Sequence, residues 1–136
     1  MQTLVHTERT LTELDHARLA RLQRDAVHNA AVSLDELLHG ADLVDSREVS
    51  PDIVTMYSQV LLADPVSGRR STLTLCYPSD AEPARGFVSV LSPVGASLLG
   101  LRVGAVAQWR NPRGEAAQAE VVALLFQPEA SGDYTL

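Results

Sequence analysis

Ser92 to Gly104 reads SPVGASLLGLRVG, a stretch that holds a short helix together with its start and its stop. Ser92 has the side-chain oxygen that caps a first turn. Pro93 suits the first helical position, where its fixed φ is helical and its missing N–H leaves nothing unpaired. Ala96, Leu98 and Leu99 supply the apolar content, and Gly100 permits a left-handed exit. Gly95, Gly100 and Gly104 fall at the helix start, the helix end and the turn after it. There glycine serves the backbone, and the three do not make a phosphate loop.

Working outward, the second half of the chain reads as strands. Ile53 to Ala63 is rich in Val and Leu, and Asp64-Pro65-Val66-Ser67-Gly68 is a turn. Ser71 to Tyr77 (STLTLCY) alternates polar and apolar residues, as a half-buried strand does. A loop from Pro78 to Gly86 leads to a short strand, Phe87 to Leu91, and then to the Ser92 helix. Ala105 to Arg110, the turn Asn111-Pro112-Arg113-Gly114 and Ala117 to Gln127 complete the set. Tight turns between successive strands predict an antiparallel sheet with one short helix on one face.

The first half reads as helix. Thr10 and Glu13 fit a capping box, and Leu11, Leu14, Leu19, Leu22 and Ala26 follow at helical spacing. A second apolar face runs through Ala30, Leu34, Leu37, Leu38 and Ala41, with Ser33 and Glu36 as another candidate box. The link around Asp25 to Asn29 predicts an antiparallel hairpin with Asp25 at its tip, extending ~15–22 Å at ~1.5 Å per residue. The polar run Asp45 to Asp52 breaks the helical period. The expected class is therefore α+β: a helical hairpin over residues 1–48 and a sheet domain over 49–136.

Charge and composition exclude several functions. Residues 1–52 carry ten acidic side chains against five Arg, while residues 53–136 carry seven against six. An acidic front half argues against direct nucleic-acid binding, which depends on phosphate neutralisation. All eleven basic residues are Arg, which reads as compositional bias. Cys76 is the only cysteine, so no internal disulfide framework forms. No apolar run is long enough to span a membrane and no signal peptide is visible, so the expected location is the cytoplasm. His6, His16, His28 and His39 lack the close spacing of a ligand pair, so no metal site and no cofactor are expected. Cys76 has no activating partner in sequence, and no catalytic residue is assigned. Glu129 and Asp133 read as a solvated end that packs Tyr134 back on the sheet.

The Ser92–Gly104 stretch resembles the signature of the C-terminal domain of Gre-type transcript-cleavage factors: a Ser-Pro-apolar-Gly turn, an Ala-x-Leu-Leu-Gly helix, then x-x-Val-Gly. The order of strands and helix from about Val54 to Leu125 is similar to that domain. The resemblance implies an FKBP-like α+β fold and bacterial RNA polymerase as partner. A subgroup of the family, the Rnk-type regulators of nucleoside diphosphate kinase, is similar in three segments: Asp52 to Met56 with Ser58 and Val60, Pro93 to Gly104, and the tail Gln127 to Tyr134. This subgroup has a shortened N-terminal coiled-coil hairpin. The resemblance implies contacts to polymerase near its secondary channel from Ser92, Pro93, Val94 and Gly95, and an effect on nucleoside diphosphate kinase levels. Gre cleavage factors hold a catalytic Mg²⁺ with several acidic residues at a long hairpin tip. Asp25 alone is a poor site, so a non-enzymatic competitor of those factors is expected. The alternatives are a peptidyl-prolyl isomerase, disfavoured because the aromatics are dispersed along the chain, and a true cleavage factor.

Overall fold

The computed structural model describes residues 8–25 and 37–134. Two sheets form. The small one pairs β1 (Thr10–Thr12) with β2 (Asp42–Val44) in parallel. The large one contains β3 (Gln59–Ala63), β4 (Arg70–Cys76), β5 (Phe87–Ser89), β6 (Val106–Arg110) and β7 (Ala116–Phe126), in the spatial order β5-β4-β3-β7-β6. Its pairs are antiparallel except β4–β5, which is parallel. The purely antiparallel expectation is corrected there. The chain crosses through the two 3-10 turns Pro78–Asp80 and Pro83–Arg85 before β5, so it returns in the direction of β4.

β7 is long because it serves two neighbours. Its first half pairs with β6 and its second half with β3. Register shifts between Gln59 and Val60 and between Leu61 and Leu62 bend it and curl the sheet. The concave face supplies Val60, Leu62, Leu75, Ala107, Ala119 and Val121 to the core. The Ser92 stretch supplies Leu98, Leu99 and Leu101, all at 0% exposure. At ~1.5–3 kcal/mol for each large side chain removed from water, this layer dominates the stability of the sheet domain.

The front half joins the same apolar cluster. α1 (Glu13–Asp25) contributes Leu19, β1 contributes Leu11, and the helical residues 37–40 contribute Leu37 and Leu38. The cap of α1 is Thr12, not Thr10: the Thr12 Oγ1 accepts from Asp15 N at 3.0 Å. Thr10 is unavailable because it is committed to pairing with Asp42. The expected strand from Ile53 shortens to β3, because residues 53–58 are irregular. Tyr57 sits there at φ +67°, a left-handed conformation costly for an aromatic residue. The expected hairpin tip lies outside the described residues, since Asp25 closes α1 and residues 26–36 are not described.

Candidate functional site

The Ser92–Gly104 stretch folds as its residues direct. α2 (Pro93–Leu98) starts with Pro93 after the cap Ser92. The Ser92 hydroxyl accepts from Gly95 N at 3.1 Å and donates to Ser89 O at 2.7 Å. Ser92 N also donates to Ser89 O, at 3.0 Å, and Leu91 N donates to the Ser89 Oγ at 3.0 Å. The corner between β5 and α2 is thereby closed by hydrogen bonds from both sides, and the Ser92 hydroxyl proton is already committed within the chain.

Gly95 makes that closure possible. A Cβ built on it would lie 2.1 Å from Ser89 O, well inside contact distance. Gly95 is buried, so its part in the corner is architectural. Pro93 is exposed, while Leu91, Ser92 and Val94 are half-buried. The surface of the corner is therefore a small apolar knuckle with no charged side chain of its own.

The rest of the motif fastens α2 to neighbouring segments. Gly100, at φ +84°, turns the chain so that its N–H donates to Val54 O at 2.8 Å. Val54 N donates to Leu101 O at 2.9 Å and Val103 N to Asp52 O at 2.9 Å. Arg102 Nη1 reaches Asp52 Oδ1 at 3.0 Å on the surface. Gly104 N donates to Val121 O on β7 at 2.8 Å.

These surroundings bear on three sequence expectations. Glu129 is not part of a solvated tail: its Oε1 accepts from Thr55 Oγ1 at 2.7 Å. The neighbouring Gln127 is buried, and its Nε2 donates to Ser50 O at 2.9 Å and to Ile53 O at 2.8 Å. Tyr134 lies under the Arg47 guanidinium, 5.5 Å from the ring centroid. The aromatics are not all dispersed either. Tyr57 and Tyr77 meet with ring centroids 5.8 Å apart, and the Tyr57 hydroxyl donates to Asp80 Oδ2. Burial, with Asp80 second, pushes the Tyr57 phenol up to about 12.

Sequence reasoning missed the buried acid Asp15, which is 2% exposed. Its Oδ2 accepts from Met56 N at 3.2 Å, tying the first turn of α1 to the segment before β3. Burial pushes its carboxyl up to about 6, and the Glu129 charge adds to the rise, against the Met56 hydrogen bond and Arg18. Capping-box spacing from Thr12 would have flagged it.

The histidines and the cysteine weighed in the sequence are placed as follows. His16 Nε2 sits 2.9 Å from Leu38 O, and His6 and His28 lie outside the described residues. Among the described residues no group of His, Cys, Asp and Glu could hold a metal ion. Cys76 is buried and its thiol pKa is raised by burial, the behaviour of a structural thiol. An open groove of about 770 Å³ lies between α1 and Tyr77–Ser79, and none of residues 92–95 lines it. No helix among the described residues is long and apolar enough to cross a membrane.

Similarity to known proteins falls on the same residues. The profile of the C-terminal region of GreA/GreB transcription elongation factors matches residues 49–125. The chain is 37% identical over 129 residues to the regulator of nucleoside diphosphate kinase of Escherichia coli K12, covering 93% of this chain and 95% of that one. It is 29% identical over 104 residues to the transcription elongation factor GreA of Chloroherpeton thalassium, covering 76% and 66%. The solved structure of a GreA/GreB elongation factor from Nitrosomonas europaea superposes with a TM-score of 0.73 at 33% identity, covering 88% of this chain and all of that one. By profile and by the 33% identity to a GreA/GreB factor over most of its length alike, the chain belongs to the GreA/GreB family of transcription elongation factors.

Proposed function

We propose that this chain is a non-enzymatic regulator that docks on bacterial RNA polymerase near the secondary channel. It competes there with Gre factors without stimulating transcript cleavage, and it influences nucleoside diphosphate kinase levels. The knuckle formed by Ser92, Pro93 and Val94 over the buried Gly95 is the docking surface in this reading. The observation that carries it is the exposed Pro93 on a corner that hydrogen bonds hold rigid, within the segment the family profile matches. A rigid apolar projection suits protein recognition because little side-chain entropy is lost on binding. The similarity to a regulator of nucleoside diphosphate kinase supports a regulatory role. In this reading the curled sheet with α2 is an FKBP-like domain over 49–136, and the helical part of residues 1–48, between β1 and β2, is a short coiled-coil hairpin tipped by Asp25.

The reading is tested on backtracked polymerase. The full chain alone is expected to give no transcript cleavage above the intrinsic rate, because one tip carboxylate is too few to hold a catalytic Mg²⁺. Added to an authentic Gre factor, it should inhibit that factor's cleavage in a dose-dependent way, and Asp25→Ala should inhibit equally. Cleavage by the wild-type chain that vanishes in Asp25→Ala would instead make it a cleavage factor.

A further inference from the structure

The end of α2 opposite the docking corner is closed by a residue from the N-terminal segment. Arg9 Nη1 donates to Leu99 O at 2.9 Å and to Ala96 O at 3.4 Å. These are last-turn carbonyls, which no helical N–H reaches. Next to it, Thr10 N donates to Gly100 O at 3.1 Å. The crossing is tight: a Cβ on Gly100 would meet Thr10 O at 3.1 Å and Arg9 Cβ at 3.2 Å. Gly100 is thus needed for its left-handed turn and for the passage of this segment.

The chain beyond Arg9 has no slack. β1 occupies Thr10–Thr12, paired with β2, and α1 begins at Glu13. Asp15, in the first turn of α1, then holds Met56 N. The root of α1 is therefore fixed at two places, the end of α2 and the segment before β3. One anchor, Asp15, lies on the helix itself, and the other lies just ahead of it at Arg9 and Thr10, so together they fix where α1 starts and which way it points.

We propose that Arg9 is a positioning residue: by closing the C-terminal end of α2 it sets the direction in which α1 leaves the sheet. The short helix that presents the Pro93 knuckle at one end thereby aims the N-terminal helix from the other. The link to docking rests on the function proposed above, whereas the geometry of the joint does not. Were Arg9 only a cap, its loss would lower stability and leave the direction of α1 unchanged.

A distance measurement on the full chain separates these. Nitroxide labels go on Arg24→Cys in α1 and Arg113→Cys in the β6–β7 turn, both exposed positions. Cys76 is fully buried and stays unlabelled. With Arg9 intact, electron–electron resonance is expected to give a single narrow distance. Arg9→Ala should shift or broaden it beyond the labels' own width, with the folded emission of Trp109 kept. Arg9→Lys, which keeps the charge and loses the fork, should fall between. Gly100→Ala, which pushes the segment off α2, should broaden it independently. An unchanged distribution in Arg9→Ala overturns the proposal whatever Gly100→Ala shows, as does broadening that appears only together with loss of the Trp109 signal. No polymerase is present, so the docking reading can fail in its own assay while this result stands, and the reverse.

Discussion

Gly95→Ala is expected to destabilise the protein by about 3 kcal/mol, the upper range for an overpacked interior site. The added methyl lands 2.1 Å from Ser89 O and 2.9 Å from Ser89 C, both backbone atoms. No flexible side chain can yield, so α2 or β5 must move. Ser89 O also accepts from Ser92 N and from the Ser92 hydroxyl, so a shift loosens both bonds. Gly95 has an ordinary negative φ, so the cost is one of space alone. Urea unfolding followed by Trp109 fluorescence should show the midpoint falling by about 1–2 M at typical slopes for a domain of this size. An unchanged midpoint would mean that β5 and α2 do not meet at this glycine.

Asp15→Asn should stabilise the protein at pH 8 and do little at pH 4. The Asp15 carboxyl titrates at about 6 in the folded chain, against 3.8 for the unperturbed group, because burial disfavours its charge. For an acid, a raised folded value means that the native state holds the proton more tightly than the unfolded chain. Its contribution to stability is therefore most favourable below ~4, is lost as pH rises from ~4 to ~6, and stays lost above that. The rise from 3.8 to about 6 corresponds to about 3 kcal/mol. Asparagine keeps an oxygen for Met56 N and has no charge to bury. The stability difference between Asp15→Asn and wild type should grow across that window and level off above it, by denaturation at a series of pH values. A difference flat from pH 4 to pH 8 would remove Asp15 from the buried node. Glu129, Arg18, Thr12 and Tyr77 surround the group, and the comparison with wild type cancels titrations the two proteins share.

The parts of the fold legible in the sequence are those where local chemistry and tertiary demand agree. Ser92, Pro93 and Gly100 specify a capped helix with a left-handed exit by residue type alone, and α2 has all three features. The Asn111–Gly114 turn is equally plain, because Asn111 Oδ1 accepts from Arg113 N and Glu115 N while Gly114 takes φ +81°. The expectations that failed were set by partners distant in sequence. Thr10 looks like a cap until β2, far along the chain, claims it as a strand. Ile53 to Ser58 has strand composition, yet Tyr57 is turned into the left-handed region by its bonds to Leu75 and Asp80. The same holds at the candidate site. The knuckle could be read directly, but no periodicity reveals that Arg9 closes the far end of its helix or that Glu129 reaches back to Thr55.

The most direct test is the equilibrium affinity of the full chain for core RNA polymerase, compared between wild type and Ser92→Ala with Pro93→Ala. Loss of the cap costs about 1 kcal/mol of stability, which leaves the chain folded. Loss of the knuckle should weaken binding at least about tenfold, or roughly 1.4 kcal/mol, at a temperature where both proteins are folded. Equal affinities would contradict docking through this corner.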